Sequence, residues 1–278
     1  MLLSSKNSKR INTLKYLSIK TSFIYQNVLY CGKSSMNIIN YYNEDFAKLY
    51  DQQGWADFSF WVFKKFKKLI ENKNRLLDAA CGTGSFAYLI HKYVKKVDAY
   101  DCSSAMLNIA KIKTPKINFF QADLISYYKK NTYDVITCFY DSINHLTTKS
   151  QWQMALRNFY RSLRPRGLSI FDINTLNGLR SWGKINEKRG NLFIRGFYKN
   201  RQGCLMVFKH NKKILEVCEI TFPASIVKSM LRVAGFTKIK TLWYGNKRRR
   251  VFFIANKSLQ PFSIGLEGLF FAGKIGGG

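Results

Sequence analysis

The chain has 278 residues, of which 46% are hydrophobic and 15% aromatic, so it can bury a sizeable core and is not globally disordered. Its formal net charge of +30 would attract nucleic acid, anionic membrane or phosphorylated substrates alike, but lysine is abundant throughout, which favours a compositional bias over a dedicated nucleic-acid surface. Six scattered cysteines without a C-x-x-C pair, and no apolar run of about 18 residues, argue against a metal site and a membrane span.

Residues 1–39 are predicted to form a basic N-terminal extension. Residues 1–43 contain six Lys or Arg and no Asp or Glu, together with many Ser and Thr. This composition is typical of an organelle transit peptide, which would place the protein in an organelle matrix. Alternatively, Met36 is the true start, the residues before it are a disordered or mis-assigned extension, and the protein is cytoplasmic. Both interpretations stay open.

Helices and short strands then alternate along the chain. Two helices come first, over residues 41–55 and 56–72, and the lysine-rich face of the second is expected to face solvent. Further helices are predicted over residues 85–94, 103–112, 151–163 and 224–234. Strands are predicted over residues 75–80, 97–101, 117–120, 134–139, 168–173, 236–243 and 251–256. This order predicts an α/β fold with a doubly wound, Rossmann-like, mostly parallel sheet and helices on both faces.

Residues 175–222 interrupt the alternation. Three strands with short polar links are predicted there, over residues 191–198, 204–209 and 214–222, which indicates an inserted antiparallel meander. The main domain is therefore expected to span residues 40–256 with this insertion as a lid, followed by a tail over 257–278. The basic run 247–250 lies between the last two predicted strands and is interpreted as a solvated hairpin turn.

A glycine-rich loop carries the chemistry. Residues 82–87 satisfy the G-x-G-x-x-G/A nucleotide-binding pattern between a predicted strand and a predicted helix, which is the context that pattern requires. Asp78 ends the strand just before the glycines, where its carboxylate would repel a pyrophosphate and attract a cofactor with an ammonium and a sulfonium. The loop therefore favours S-adenosylmethionine over NAD. Alternatively, Asp78 caps the amides of its own loop.

Two further carboxylates follow the next two strands. Asp101 is placed to accept hydrogen bonds from both ribose hydroxyls of a nucleoside cofactor. Asp123 could accept from the adenine amino group while Leu124 covers the ring, although alone it would equally suit a turn cap. Because ligands bind at the carboxyl ends of parallel strands, the three carboxylates together strengthen the cofactor hypothesis.

The run Asp78-Ala-Ala-Cys-Gly-Thr-Gly84 resembles the first motif of class I S-adenosylmethionine-dependent methyltransferases, and the resemblance extends over about residues 40–256. Similar segments are residues 41–50, 100–101, 122–124, 138–146, 163–167, 171–175 and 234–236. The resemblance implies an enzyme that transfers a methyl group to a small-molecule acceptor by in-line displacement. It implies a cofactor site formed by Tyr50, Asp78, Ala80, Gly82, Gly84, Asp101, Cys102, Asp123, Leu124 and Phe139.

Two departures from the family pattern concern the acceptor side. Arg166 stands where the family usually has Gly, and Val217 and Cys218 precede Glu219 where relatives commonly carry His before Glu. A general base is needed only if the acceptor still carries its proton at the moment of attack. The candidates for catalysis are His145, Asp141 and Tyr140, and Glu219 and Tyr198 are weaker candidates. Alternatively, His145 is a helix residue satisfied by its neighbours.

Other functions remain open alternatives. The net charge and the 247–250 run would suit an RNA methyltransferase, but the sequence shows neither a separate RNA-binding module nor an aromatic-basic RNP pattern. A non-catalytic relative that keeps the cofactor is a further alternative, because a fold does not settle function. A nicotinamide oxidoreductase is disfavoured by Asp78. The oligomeric state is not predicted.

Overall fold

The computed structural model describes residues 42–199, 203–210 and 213–259. Within these ranges the α-helices are α1 (Glu44–Gln52), α2 (Phe58–Ile70), α3 (Ser85–Ile90), α4 (Ser104–Lys113), α5 (Lys149–Ser162), α6 (Leu176–Trp182) and α7 (Ala224–Ala234). The strands are β1 (Arg75–Ala79), β2 (Lys96–Asp101), β3 (Asn118–Gln121), β4 (Tyr133–Cys138), β5 (Leu163–Asn174), β6 (Asn186–Arg189), β7 (Leu192–Lys199), β8 (Gly203–His210), β9 (Lys213–Ile220), β10 (Phe236–Tyr244) and β11 (Arg250–Lys257). The predicted extension 1–39 and residues 260–278 of the predicted tail lie outside the described residues.

The main sheet confirms the predicted doubly wound architecture. It has seven strands in the order β10-β11-β5-β4-β1-β2-β3. The pairs β1–β2, β2–β3, β1–β4 and β4–β5 are parallel, and β11 runs antiparallel to both of its neighbours. The chain leaves β1 for β2 on one side and later returns to β4 on the other, so a crevice opens at the carboxyl end of β1. Ligands of such sheets bind in this crevice.

Two apolar layers cover the two faces of this sheet. On one face, Val62 and Phe66 of α2 pack in one buried cluster with side chains of α3 and α4. On the other face, Trp152 and Phe159 of α5 pack with side chains of α7. These helices bury one stripe each, as amphipathic periodicity predicts. Among the described helices, none combines the length and the apolarity needed to cross a membrane.

The insertion is a four-stranded antiparallel sheet, β6-β7-β8-β9. The sequence predicted three of these strands but missed β6 and the preceding helix α6. β6 is exposed along its length and consists of Asn, Glu, Lys and Arg, so it has no apolar alternation to detect. The inner face of the insertion packs on α1 and α6 in a third apolar cluster, which includes Phe46, Leu179 and Met206. The insertion and α1 are therefore joined by a core of their own.

Several predicted boundaries were wrong. Helix α5 begins at Lys149 because Thr148 supplies a capping box with Gln151, and β5 begins at Leu163 rather than at residue 168. The main-chain φ of Arg166 is +63°, a left-handed conformation that favours glycine, which explains why a glycine would be usual there. The basic run is only partly a solvated turn. Lys247, Arg248 and Arg249 are exposed, but Arg250 begins β11 and its side chain turns inward.

Candidate functional site

A cleft of about 910 Å³, measured out to its open mouth, lies at the carboxyl ends of β1 and β2. Most of the sequence-predicted cofactor residues line it. They are Tyr50, Asp78, Ala80, Gly82, Asp101, Cys102, Asp123, Leu124 and Phe139. The cleft also takes in residues that the sequence did not single out for the cofactor, among them Ser59, Tyr100 and Met106.

Gly84 is the predicted cofactor residue that does not line the cleft. Its φ is +72°, and a Cβ at this position would lie 3.0 Å from the Cβ of Ala110 and 3.0 Å from the ring of Phe119. The close approach of α3 to α4 and β3 therefore requires glycine here. Gly82 also has a positive φ, of +54°, but a Cβ there would meet no atom within 4 Å. Glycine is thus required at Gly84 by close packing and by a left-handed backbone, and at Gly82 by the left-handed backbone alone.

Asp78 is a buried carboxylate that forms no ion pair with any Lys or Arg in the part of the chain that the structure describes. Its side chain is 2% exposed, and the Thr137 hydroxyl donates a hydrogen bond of 2.8 Å to its Oδ1. Burial raises the pKa of Asp78 to about 7, against the lowering effect of that hydrogen bond. A cationic group bound beside it would restore its charge. The Asp78 carboxylate therefore fits the ammonium end of S-adenosylmethionine.

Asp101 holds the glycine loop and still has acceptor capacity. Its Oδ2 accepts from the backbone N–H of Gly82 at 2.8 Å, and its Oδ1 accepts from that of Ser103 at 2.9 Å. Burial raises its pKa, opposed by these two hydrogen bonds. A carboxylate offers about four lone-pair positions, and Cys102 also donates to Asp101, so a ribose hydroxyl would take the place of the Cys102 thiol. The same side chain can thus shape the loop and bind the cofactor.

Asp123 serves as a turn cap and also lines the cleft. Its Oδ1 accepts from the backbone N–H of Ile125 at 2.8 Å, as the alternative interpretation from the sequence expected. The neighbouring Leu124 is buried and packs in the core cluster on the α5 face of the sheet. Both residues line the cleft, as do Ala122 and Cys102, and their contact with adenine stays a prediction.

Helix α1 closes one side of the cleft through polar contacts. Lys113 of α4 bridges to Asp51 at 2.6 Å, and the Thr83 hydroxyl of the glycine loop donates to Asp51 at 2.7 Å. At the other end of the helix, the Ser103 hydroxyl donates to the backbone carbonyl of Tyr42. These contacts bring Tyr42 and Tyr50 over the cleft, where both line its wall.

His145 is paired with a residue that the sequence had not named as catalytic. The phenol oxygen of Tyr42 lies 3.1 Å from Nε2 of His145. Burial lowers the pKa of His145, opposed by the charge of Asp141 and the backbone of Cys218, so the imidazole is neutral at pH 7. Burial raises the pKa of Tyr42 and keeps its hydroxyl protonated. Tyr42 falls in the segment that resembles the family's N-terminal helix, and this is the signal that could have found it.

The other two catalytic candidates occupy different surroundings. Tyr140 lines the cleft and shares a hydrogen bond of 2.6 Å with the Ser59 hydroxyl, while burial raises its pKa. Asp141 does not line the cofactor cleft. It forms an ion pair with Arg250 at 3.2 Å and accepts a hydrogen bond from the Asn174 amide. Asp141 is therefore held in a buried polar cluster.

That cluster contains Asp141, Asp172, Asn174, Glu219 and Arg250. Arg250 also pairs with Asp172, and Asn174 donates to Glu219 at 3.0 Å. Asp172 and Asn174 alternate along β5 and share one face, where β11 brings Arg250 opposite Asn174. The sequence did not assemble this cluster, because its members come from four separate segments of the chain.

A second cavity adjoins the cofactor cleft, with a volume of about 1050 Å³ out to its mouth. It lies between α1, the inserted sheet and the polar cluster. Four residues line both spaces: Tyr42, Tyr50, Tyr140 and His145. The remaining walls are largely apolar and include the aromatic side chains of Trp55, Phe58 and Phe208. Within the described part of the chain, no group of His, Cys, Asp or Glu is placed to hold a metal ion.

Known proteins that resemble this chain include several that are methyltransferases by name. Residues 76–167 match the model of a methyltransferase domain. A Geobacillus protein with a provisional methyltransferase name is 33% identical over 141 residues, 48% of this chain and 57% of that protein. The dTDP-4-amino-2,3,4,6-tetradeoxy-D-glucose N,N-dimethyltransferase of Saccharopolyspora spinosa is 27% identical over 47% of this chain and 55% of its own length. The chain thus spans a little over half the length of these relatives.

A more distant relative acts on RNA by its name. The tRNA N(3)-methylcytidine methyltransferase trm140 of Schizosaccharomyces pombe is 23% identical over 184 residues, 56% of this chain and 56% of that protein.

Solved structures share the fold. An S-adenosylmethionine-dependent methyltransferase from Clostridium acetobutylicum superposes with a TM-score of 0.66 at 20% identity, over 77% of this chain and 98% of that one. CalS10, an amino pentose methyltransferase from Micromonospora echinaspora solved with S-adenosylmethionine bound, gives 0.58 at 17% identity, over 78% of this chain and 98% of that one. The glycine loop, the buried Asp78 and the matched domain agree: residues 76–167 match a methyltransferase domain, and the chain shares the fold of these S-adenosylmethionine-dependent methyltransferases.

Proposed function

We propose that this protein transfers the methyl group of S-adenosylmethionine to a small-molecule acceptor by in-line displacement. The observation that carries this proposal is the junction of the two cavities. Tyr42, Tyr50, Tyr140 and His145 line both the cofactor cleft and the second cavity, so a molecule in the second cavity would face the cofactor across a shared boundary. In such a reaction the enzyme mainly aligns the acceptor with the methyl group.

The second cavity suits a small acceptor. It is lined by side chains of α1 and of the inserted sheet and adjoins the cofactor cleft through shared residues. The relative from Saccharopolyspora spinosa is named for an amino sugar, which is a small molecule. Both observations support a metabolite over a polymer as the acceptor.

We assign to the Tyr42–His145 pair the removal of the proton from the attacking atom of the acceptor. When bound, S-adenosylmethionine supplies a methyl group already activated by its sulfonium. A neutral imidazole is the form that can accept a proton, and burial keeps His145 neutral. The hydrogen bond to Tyr42 holds the ring at the boundary between the two cavities. We assign to this pair the hydrogen bond that orients an acceptor O–H or N–H group.

The test begins with the cofactor. Purified protein should bind S-adenosylmethionine and S-adenosylhomocysteine in calorimetry and should not bind NAD. It should then be incubated with methyl-labelled S-adenosylmethionine and a fractionated extract of small molecules, protein and RNA. We expect label in the small-molecule fraction. Cofactor binding without transfer to any fraction would support the alternative of a non-catalytic relative, and binding of NAD alone would refute the proposal.

RNA is the second candidate acceptor. The observations that favour it are the net charge of +30 and the relative named as a tRNA methyltransferase. Against it, the exposed part of the basic run lies in a short turn between β10 and β11. We expect RNA binding to be nonspecific and to weaken steeply between low and physiological salt, as counterion release requires. A tight, salt-resistant and sequence-selective complex would favour RNA as the acceptor.

A further inference from the structure

We propose that the acceptor is an amine with an apolar ring body, and that Glu219 in the wall of the second cavity receives its ammonium group. This inference rests on the proposed function. It commits to a cation as the bound group, rather than to an alcohol or a carboxylate.

The balance of charges around the cavity is the first argument. Among its described lining residues, Glu187 and Arg189 form an exposed pair at 2.9 Å, so they neutralise each other. Arg250 is shared between Asp141 and Asp172. The buried cluster therefore holds three carboxylates, Asp141, Asp172 and Glu219, against one guanidinium. An anionic acceptor would add to this excess of acid, and a cation would relieve it.

Glu219 is the member of the cluster that lacks a cation. It is 3% exposed and lines the cavity, and its Oε2 accepts from the Asn174 amide. Within the described ranges, no ammonium or guanidinium lies within 4.0 Å of its carboxylate. Burial, the charge of Asp141 and a hydrogen bond shared with Asp141 raise the pKa of Glu219 well above its usual value, and a cation bound beside it would favour its charged form.

The aromatic wall is the second, independent argument. Phe46 and Trp55 stack with centroids 5.3 Å apart, and Phe208 meets both rings edge-on at 5.3 and 5.7 Å. Tyr50 meets Trp55 at 5.6 Å. Such rings can cover the apolar faces of a ring-shaped acceptor, and their π faces attract a cation. Aromatic walls beside an uncompensated carboxylate are the chemistry that recognises an organic ammonium.

The proton and charge balance of the transfer fits this placement. The ammonium R–NH₃⁺, held beside the Glu219 carboxylate, gives one proton to the neutral imidazole of His145, which leaves a neutral R–NH₂ with a lone pair. That lone pair forms the N–CH₃ bond as the S–CH₃ bond breaks, and the bonding pair stays on sulfur as a thioether. The positive charge therefore passes from sulfur to R–NH₂⁺–CH₃. The carboxylate cluster stabilises a charge that arrives in its own cavity.

The experiment compares three probes that differ in charge and share a ring. Protein loaded with S-adenosylhomocysteine, which fills the cofactor cleft, is titrated with 2-phenylethylamine, 2-phenylethanol and phenylacetate. Binding is followed by the fluorescence of Trp55 and Trp182, which both line the second cavity, and by calorimetry. We expect the amine to bind at least about tenfold more tightly than either other probe, the effect of one charge-assisted hydrogen bond.

A matched pair of variants assigns the preference to one side chain. Glu219→Gln should reduce the preference for the amine to about twofold or less, while Glu216→Gln should leave it unchanged. Glu216 lies three residues earlier on β9, so its side chain points to the opposite face of the sheet. Both variants should be checked for an intact thermal transition and for S-adenosylhomocysteine binding.

The outcomes distinguish a failure of the amine inference from a failure of the proposed function. Equal or tighter binding of the alcohol or the carboxylate by the wild-type protein, or no binding of the amine, would overturn the inference even if Glu219→Gln failed to fold. A full amine preference in folded Glu219→Gln would overturn the assignment to Glu219. Failure of the wild-type protein to bind S-adenosylhomocysteine would instead refute the proposed function itself.

Discussion

Tyr42 and His145 are 103 positions apart in the chain, yet their side chains share a hydrogen bond of 3.1 Å at the boundary between the cofactor cleft and the second cavity. The pair joins the residues just before helix α1 to the turn that follows β4. Because both side chains line both spaces, a change at either residue is expected to act on the transfer more than on the stability of the fold.

Removing this pair should slow methyl transfer. We expect His145→Ala to lower kcat/KM by about 10²-fold or more, the usual contribution of a positioned acid or base, and Tyr42→Phe to lower it less because the imidazole remains. Calorimetry should show S-adenosylmethionine binding within a few-fold of wild type. His91→Ala, on a histidine outside both cavities, is the control and should keep full activity. Unchanged kcat/KM in His145→Ala would remove His145 from the mechanism.

Replacing Asp78 by Asn should stabilise the free protein while weakening cofactor binding. The folded-state pKa of about 7 lies above the ordinary value of 3.8, so the protonated carboxyl stabilises the fold. That stabilisation is complete below about pH 4 and is lost as the pH rises through 7. As the pH rises between these values, the free energy of unfolding of the variant should therefore exceed that of the wild type by a growing amount, up to about 4 kcal/mol.

Denaturant titrations at several pH values, with calorimetry for the cofactor, would test this. Asp98→Asn is the contrasting control, because Asp98 is equally buried but pairs with Arg75 at 2.6 Å. Breaking that pair should destabilise the protein at pH 8. An Asp78→Asn variant that is less stable at pH 8 and binds S-adenosylmethionine normally would contradict both halves of the prediction.

The two glycines of the loop should respond differently to alanine. Gly84→Ala adds a Cβ at 3.0 Å from Ala110 and Phe119 in a left-handed conformation, so unfolding should become easier by about 2–4 kcal/mol. Gly82→Ala meets no atom within 4 Å, so it should cost about 1–2 kcal/mol in strain and mainly reduce cofactor affinity, because Gly82 lines the cleft.

Gly190→Ala is the matched control for strain alone. Its φ is +56°, a Cβ there also meets nothing within 4 Å, and it lies in the turn between β6 and β7, outside the residues that line the cofactor cleft. It should match Gly82→Ala in the free energy of unfolding and leave S-adenosylmethionine affinity unchanged. Equal loss of affinity in both variants would show that the effect of Gly82→Ala arises from general strain.

Two neighbouring arginines of the basic run should differ in their effect on stability, because Arg250 is structural and Arg249 lies on the surface. Arg250→Ala leaves Asp141 and Asp172 buried without their guanidinium, which we expect to lower the free energy of unfolding by about 3–5 kcal/mol. Arg249 is exposed, so Arg249→Ala should change it by less than about 0.5 kcal/mol. Similar small effects of both changes in thermal or denaturant unfolding would restore the interpretation of the whole run as a solvated turn.

The sequence by itself determined the alternation of strands and helices, the glycine loop and the carboxylates at the strand ends. These features are local. An apolar period identifies a strand or helix, a left-handed turn requires glycine at Gly82 and Gly84, and parallel topology brings successive strand ends to one edge. Asp78, Asp101 and Asp123 could therefore be placed around one cleft before any distance was known.

Only the tertiary structure decided which distant residues meet. Arg250 and Asp141 are 109 positions apart, and no local pattern distinguishes Arg250 from the exposed Arg249 beside it. The same holds for the Tyr42–His145 pair, the exposed strand β6 and the second cavity, which depend on how α1 and the inserted sheet pack together. Periodicity specifies the face that an element buries, whereas partner choice across the core depends on the packing of the whole domain.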